Sequence, residues 1–149
     1  MTTRSSGFTL VELMVVVAII GILSAAGIIT YNGYIAGTKQ TAAENTMQQI
    51  ALAQTEYYAN SGDYYDQGDD CETTEANSKL IEEKLFDKGD IIPKEIGYEM
   101  CIELESGTYY LVKASNGKTV KKPDGTEVLK LITMTANGVW FDSQDVVDE

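Results

Sequence analysis

The sequence predicts an α+β protein. One long N-terminal helix has an apolar first half, and its amphipathic second half packs on an antiparallel sheet of about four strands. Three observations lead there. Phe8 to Ile29 is a 22-residue run, apolar apart from Thr9, Glu12 and Ser24. Beyond it, Ala43, Met47, Ile50, Gln54 and Tyr57 recur at spacings of four, three, four and three, which places them on one face of a helix. The C-terminal third alternates short apolar runs with turn dipeptides, Asn137-Gly138 being the strongest.

The apolar run comes first. At ~1.5 Å per residue it reaches roughly 33 Å, close to the ~30 Å hydrocarbon core of a bilayer. Residues 1–7 are polar, with Arg4 their only charged side chain, and the next cation is Lys39. Positive charge ahead of the run keeps that end cytoplasmic and sends the rest of the chain outward. Two plainer readings compete. A secretory signal with Ser24-Ala25-Ala26 as its cleavage site would have a shorter apolar region and no acid within it. A simple membrane anchor leaves Glu12 unexplained, since a lone charge in lipid costs ~2.5–3.5 kcal/mol even on the lenient scale. Gly21, Gly27, Gly33 and Gly37 each cost ~1 kcal/mol relative to Ala in a helix interior, so this segment is the easiest to bend or unwind. Gly33 and Gly37 form a G-x-x-x-G pair, but past the apolar core, where the match is weak.

The helix is expected from about Phe8 to Ala59, where Asn60-Ser61-Gly62-Asp63 breaks it. Residues 63–73 read as a polar loop. A short helix follows over Glu75 to Phe86, with Leu80, Ile81 and Leu85 inward and Gly89 ending it. Pro93 starts a linker. Tyr98 to Leu104 is a weakly alternating strand, turned by Glu105-Ser106-Gly107 into Tyr109 to Ala114. Asn116-Gly117 is the next turn signal, Val128 to Thr135 a third strand, and Asn137-Gly138 leads into Val139-Trp140-Phe141. Such a sheet needs its apolar face covered, and the Ala43–Tyr57 stripe is the available cover.

Composition narrows the chemistry. The 149 residues carry a net charge of −12, and residues 61–149 hold 20 acids against 9 bases. A domain so acidic repels phosphate backbones, and Lys121 and Lys122 beside Pro123 do not make a nucleic-acid groove. There is no histidine, no nucleophile–base pair, no phosphate loop and no metal quartet, so neither an enzyme nor a cofactor is expected. Asp63, Asp66, Asp69 and Asp70 cluster in one loop, and Asp142, Asp145, Asp148 and Glu149 at the C-terminus. Neither has calcium-loop spacing, and both read as solvated acids. The nine tyrosines read as packing and interfacial groups rather than a path for electrons. Two cysteines outside the apolar run, Cys71 and Cys101, are an even count that fits one disulfide in an oxidising compartment, with two buried free thiols as the alternative. Closing that loop would contribute roughly 3.6 kcal/mol in the chain-entropy model.

Gly7 to Leu23, GFTLVELMVVVAIIGIL, resembles the N-terminal segment of type IV pilins and of the pseudopilins of type II secretion. The resemblance is close over residues 1 to about 37. The remainder matches the pilin fold in outline: long helix, variable loop, antiparallel sheet and one cysteine pair. It implies a leader over 1–7, a transmembrane and assembly half of the helix over 8–36, and a globular domain over 37–149 that includes the second half of the helix. It implies cleavage between Gly7 and Phe8 by a prepilin peptidase, N-methylation of Phe8, and filament assembly in which Glu12 pairs with the Phe8 amine of a neighbouring subunit. The implied partners are identical subunits in a helical filament, the peptidase, an inner-membrane assembly platform, and the membrane that holds the precursor. The precursor would sit in a bacterial inner membrane with its N-terminus cytoplasmic, and the product in an extracellular pilus. Adhesion, twitching motility, aggregation and DNA uptake are all activities of such filaments. A type II secretion pseudopilin and a minor tip adhesin are the alternatives. The family's usual helix-kinking proline is replaced by Ile29, so Gly21, Gly27 and Gly33 are expected to supply the weak points.

Overall fold

The computed structural model describes residues 7–87, 89–105 and 109–142, and at Ile29 the backbone alone. The element order is α1 (Leu10–Ser61), α2 (Glu75–Leu85), a 3-10 turn (Lys94–Ile96), β1 (Glu99–Glu105), β2 (Tyr109–Lys121), β3 (Glu127–Thr135) and β4 (Trp140–Asp142). The predicted α+β class is correct, and the four strands form an antiparallel meander in the order β1-β2-β3-β4. The chain divides into two units, Met1–Thr38 and Lys39–Glu149.

In the first unit α1 is helical through Gly21, Gly27, Gly33 and Gly37, and its described apolar side chains, Leu10 to Ile28, are exposed. The polar groups in this stretch are closed on the helix itself. Ser24 Oγ donates to the Ile20 carbonyl at 2.7 Å, and Thr30 Oγ1 donates to that of Ala26 at 3.3 Å. A hydroxyl bonded back to its own helix leaves no polar group stranded when the helix enters an apolar medium.

In the second unit the continuing helix buries Ala43, Met47, Ile50 and Gln54 and half-buries Tyr57, as the four-three spacing predicts. Thr46 and Ala53 are buried with them. Opposite lie Met100 and Ile102 of β1, Tyr110, Val112 and Ala114 of β2, and Ile132 and Met134 of β3, all in one core. These strand residues alternate and face one side of the sheet, and the register sets Ile102 against Val112 and Val112 against Met134.

Three expectations need correcting. Leu80 points out, and the inward face of α2 is Ser78, Ile81, Glu82 and Leu85. Two of these are polar because backbone amides packed against α2 require partners: Ser78 serves the Met100 amide on the edge of β1, and Glu82 the Ile92 amide ahead of it. The helix stops at Leu85 with Phe86 as its cap, ahead of Gly89. Asn116-Gly117 is a bulge inside β2 rather than a turn. Gly117 has φ +74, the register shifts between Ser115 and Thr119, and the strand continues to Lys121 before turning at Lys122–Thr126. The expected turn at Ser106-Gly107 lies outside the described residues.

Candidate functional site

The start of α1 is built by two side chains. Thr9 Oγ1 accepts a hydrogen bond from the Glu12 amide at 3.3 Å, and the Glu12 carboxylate accepts from the Thr9 amide at 2.9 Å and from the Thr9 hydroxyl at 2.6 Å. The Leu13 amide donates to the Thr9 carbonyl at 3.2 Å. This is a reciprocal capping box, Thr at the N-cap and Glu three residues on. It satisfies amides that the first helical turn leaves without partners and sets a negative group against the positive end of the helix dipole. Thr9 was missed as a site residue, although T-x-x-E ahead of an apolar run is a readable signal.

The box fixes where Glu12 points. Its carboxylate folds back toward the N-terminal tip of the helix rather than sideways from it. Gly7 and Phe8 precede the helix, carry no regular secondary structure and are exposed, Phe8 at 84%. The structure therefore brings Glu12 to the tip beside Thr9 and leaves Gly7 and Phe8 accessible ahead of the helix. Arg4 lies outside the described residues. Gly21, Gly27 and Gly33 fall elsewhere on α1, and a Cβ added at any of them would meet nothing within 4 Å.

In the second unit Cys71 and Cys101 form a disulfide that ties the 62–74 loop to β1. The same loop is held at two further points. Gln54 of α1 bonds the backbone of Tyr65, and Gln67 bonds the backbone of Ile102 through its own amide and its side chain. Ser78 Oγ accepts from the Met100 amide at 2.9 Å. Together Gln67 and Ser78 occupy the outer edge of β1, which would otherwise offer its peptide groups to another chain. The acids of the loop stand outside this framework, and among the described residues no group of His, Cys, Asp and Glu is arranged to hold a metal. Asp145, Asp148 and Glu149 of the second acidic cluster lie outside the described residues.

Among the described residues, one helix is long and apolar enough to cross a membrane, and it is the one that begins with this cap. Residues 2–28 match the family model for the prokaryotic N-terminal methylation motif. The chain is 42% identical over 64 residues to a fimbrial protein of Neisseria meningitidis serogroup B, covering 43% of this chain and 38% of that protein. It is 44% identical over 62 residues to the type IV major pilin protein PilE1 of Neisseria gonorrhoeae, covering 42% of this chain and 38% of the relative. With the type IV major pilin protein PilA of Myxococcus xanthus it shares 41% over 63 residues, 42% of this chain and 29% of the relative. The chain thus spans less than two fifths of the length of these relatives. No solved structure matches it. The methylation motif and these pilin relatives, together with a long N-terminal helix followed by a four-stranded antiparallel sheet, are what the chain has in common with type IV pilins.

Proposed function

We propose that the chain is a structural subunit of a type IV pilus. It is made as a membrane precursor with its N-terminus cytoplasmic, cut between Gly7 and Phe8 by a prepilin peptidase, and methylated on the new Phe8 amine. An inner-membrane assembly platform then adds it to a surface filament of identical subunits. The observation that carries this reading is the pairing of a fully exposed apolar helix with a carboxylate aimed at its tip. Exposed Gly7-Phe8, outside the helix, suits a peptidase, and glycine at the cut leaves no side chain in its way.

The cut would remove Arg4 and create an amine one residue ahead of Thr9. Glu12 then has a cation within reach, its own or that of the neighbour below it. An unpaired charge in an apolar bundle is costly, so this pair selects one stagger between subunits rather than adding much affinity. Residues 8–36 form the assembly segment and residues 37–149 the domain on the filament surface. Gly21, Gly27 and Gly33 are the points where the helix yields, in place of a proline at Ile29. The presence of Glu12 favours a body subunit over a tip adhesin, and the disulfide favours a pilin over a secretion pseudopilin.

Glu12→Ala in the host tests this. The variant should insert and be processed like the wild type and yield few or no filaments by electron microscopy. Wild-type filament levels from that variant would defeat the pairing role.

A further inference from the structure

We propose that the projecting end of the β2–β3 hairpin, bearing Lys118, Lys121 and Lys122, is the surface by which one copy of this chain engages the acidic 62–74 loop of the next. The inference rests on the filament reading above and adds to it a contact between globular domains.

Charge in the domain is polarised along the sequence. Residues 63–105 carry fourteen acids and four lysines, whereas residues 106–123 carry four lysines and no acid. Lys113 is taken up by Glu103 within the sheet. Among the described residues Lys118, Lys121 and Lys122 form no ion pair, and Asp124 is the acid that senses Lys122.

The fold presents these lysines on a two-stranded ribbon. Pairing of β1 ends at Glu99 with Ser115, and β4 pairs with Ile132 to Met134 alone. Past Ser115, among the described residues, the pairs Thr119–Leu129, Val120–Val128 and Lys121–Glu127 have no third strand beside them. The ribbon is nonetheless well fixed. Ser115 Oγ donates to the Lys130 carbonyl at 2.9 Å, the Lys122 amide to that of Thr126 at 2.8 Å, and the Gly125 amide to that of Lys122 at 2.9 Å. Over residues 118–129 this projection carries three lysines against Asp124 and Glu127, a small positive excess on a domain of opposite net charge, and an acidic surface is its complement.

The neighbouring copy supplies that surface. On α2, Glu75 is already met by Lys79 and Lys94. In the 62–74 loop, Asp69, Asp70 and Glu72 are exposed and have no ion-pair partner among the described residues. The loop backbone is anchored by Gln54, Gln67 and the disulfide, so its acids are held in place. Different surfaces meeting head to tail generate a helical polymer, whereas a self-complementary patch closes a dimer. Packing strongly acidic domains side by side also requires that unlike charges face each other.

The test uses the full chain in its host and three variants: Lys118→Glu with Lys121→Glu, Asp69→Lys with Glu72→Lys, and all four together. Asp70, at φ +57, is left untouched. Each double variant should lower recovered filament roughly fivefold or more at unchanged levels of processed chain, and the quadruple variant should restore it to within about twofold. Wild-type filaments should shed subunits faster in high salt. Double variants that assemble like the wild type, or a quadruple variant no better than either double, would overturn the contact. So would normal assembly with loss of duplex DNA binding, which would make the ribbon a polyanion site. If the wild type forms no filament at all, the filament reading fails. If Glu12→Ala blocks assembly and the lysine variants do not affect it, this inference alone fails.

Discussion

Gln54 grips Tyr65 with both ends of its amide. Nε2 donates to the Tyr65 carbonyl at 2.6 Å, and Oε1 accepts from the Tyr65 amide at 2.9 Å. The side chain is fully buried in the stripe that α1 turns to the sheet. It therefore acts as one rung of a β-ladder between a helix and a loop. Gln54→Leu preserves the bulk but leaves two peptide groups without partners. It should lose about 2–4 kcal/mol in denaturant unfolding and release the contacts of the Tyr64 ring with Tyr58 of α1 and Tyr110 of β2. A loss under about 0.5 kcal/mol would mean that water replaces the glutamine.

The cap on α1 separates two roles of Glu12. Glu12→Gln keeps an acceptor for Thr9 and removes the charge. Thr9→Val removes the cap and keeps the charge. If register depends on charge, Glu12→Gln should fail to make filaments with the first turn intact. Thr9→Val should loosen the first turn by about 1 kcal/mol, seen as faster amide exchange at Leu10 to Glu12, with filaments still present. Equal filament loss in both variants would assign the role to the cap.

Closing the β1 edge takes Gln67 and Ser78. Gln67→Ala with Ser78→Ala should cost about 2–4 kcal/mol and expose a strand edge that pairs with other chains. Light scattering of detergent-held protein should show irregular aggregates that the wild type does not form. A monodisperse double variant would show that another segment covers the edge.

Reduction of Cys71–Cys101, which spans 30 residues, should lower stability by roughly 3.6 kcal/mol. Because Gln54 and Gln67 hold the same loop independently, the reduced domain should keep its sheet, as far-ultraviolet circular dichroism would show. Loss of the sheet on reduction would mean that the glutamines depend on the disulfide.

At the N-terminus of α2, hydrogen bonds from Lys79 and Lys94, and their charges, hold the Glu75 carboxyl down to about 2. A depressed carboxylate contributes stability above its unfolded value and loses that contribution as pH falls through the folded one. The stability difference between wild type and Glu75→Gln should thus be constant near neutrality and vanish as pH falls from 4.5 to about 2. The exposure of all three side chains keeps that difference small. A difference that persisted at the acid end would put its origin outside the ion pairs.

What the sequence made legible follows its local signals. Ala43, Met47, Ile50 and Gln54 announced the packing face because four-three spacing is a property of the helix alone. Asn137-Gly138 announced the β3–β4 hairpin, and Gly138 has φ +76. Asn116-Gly117 sent the same signal and misled, because a bulge and a turn both need a residue in the left-handed region. What decided between them is the pairing of Thr119 and Val120 with Leu129 and Val128, which is not local. Hydrophobicity alone places Leu80 inward. The buried positions went to Ser78 and Glu82, which bond the Met100 and Ile92 amides. At the candidate site the apolar run and Glu12 are plain in the sequence, whereas Thr9 is legible only as the first letter of T-x-x-E, a signal of the helix end and not of charge.

The capping box also bears on the timing of maturation. Both of its members lie beyond the proposed cut, so the helix starts at the same residue before and after Gly7 is removed. A peptidase cutting there would have no refolding to drive. It would set a cation beside the Glu12 carboxylate at a tip that is already shaped, so that a precursor would be mechanically finished before it is chemically licensed.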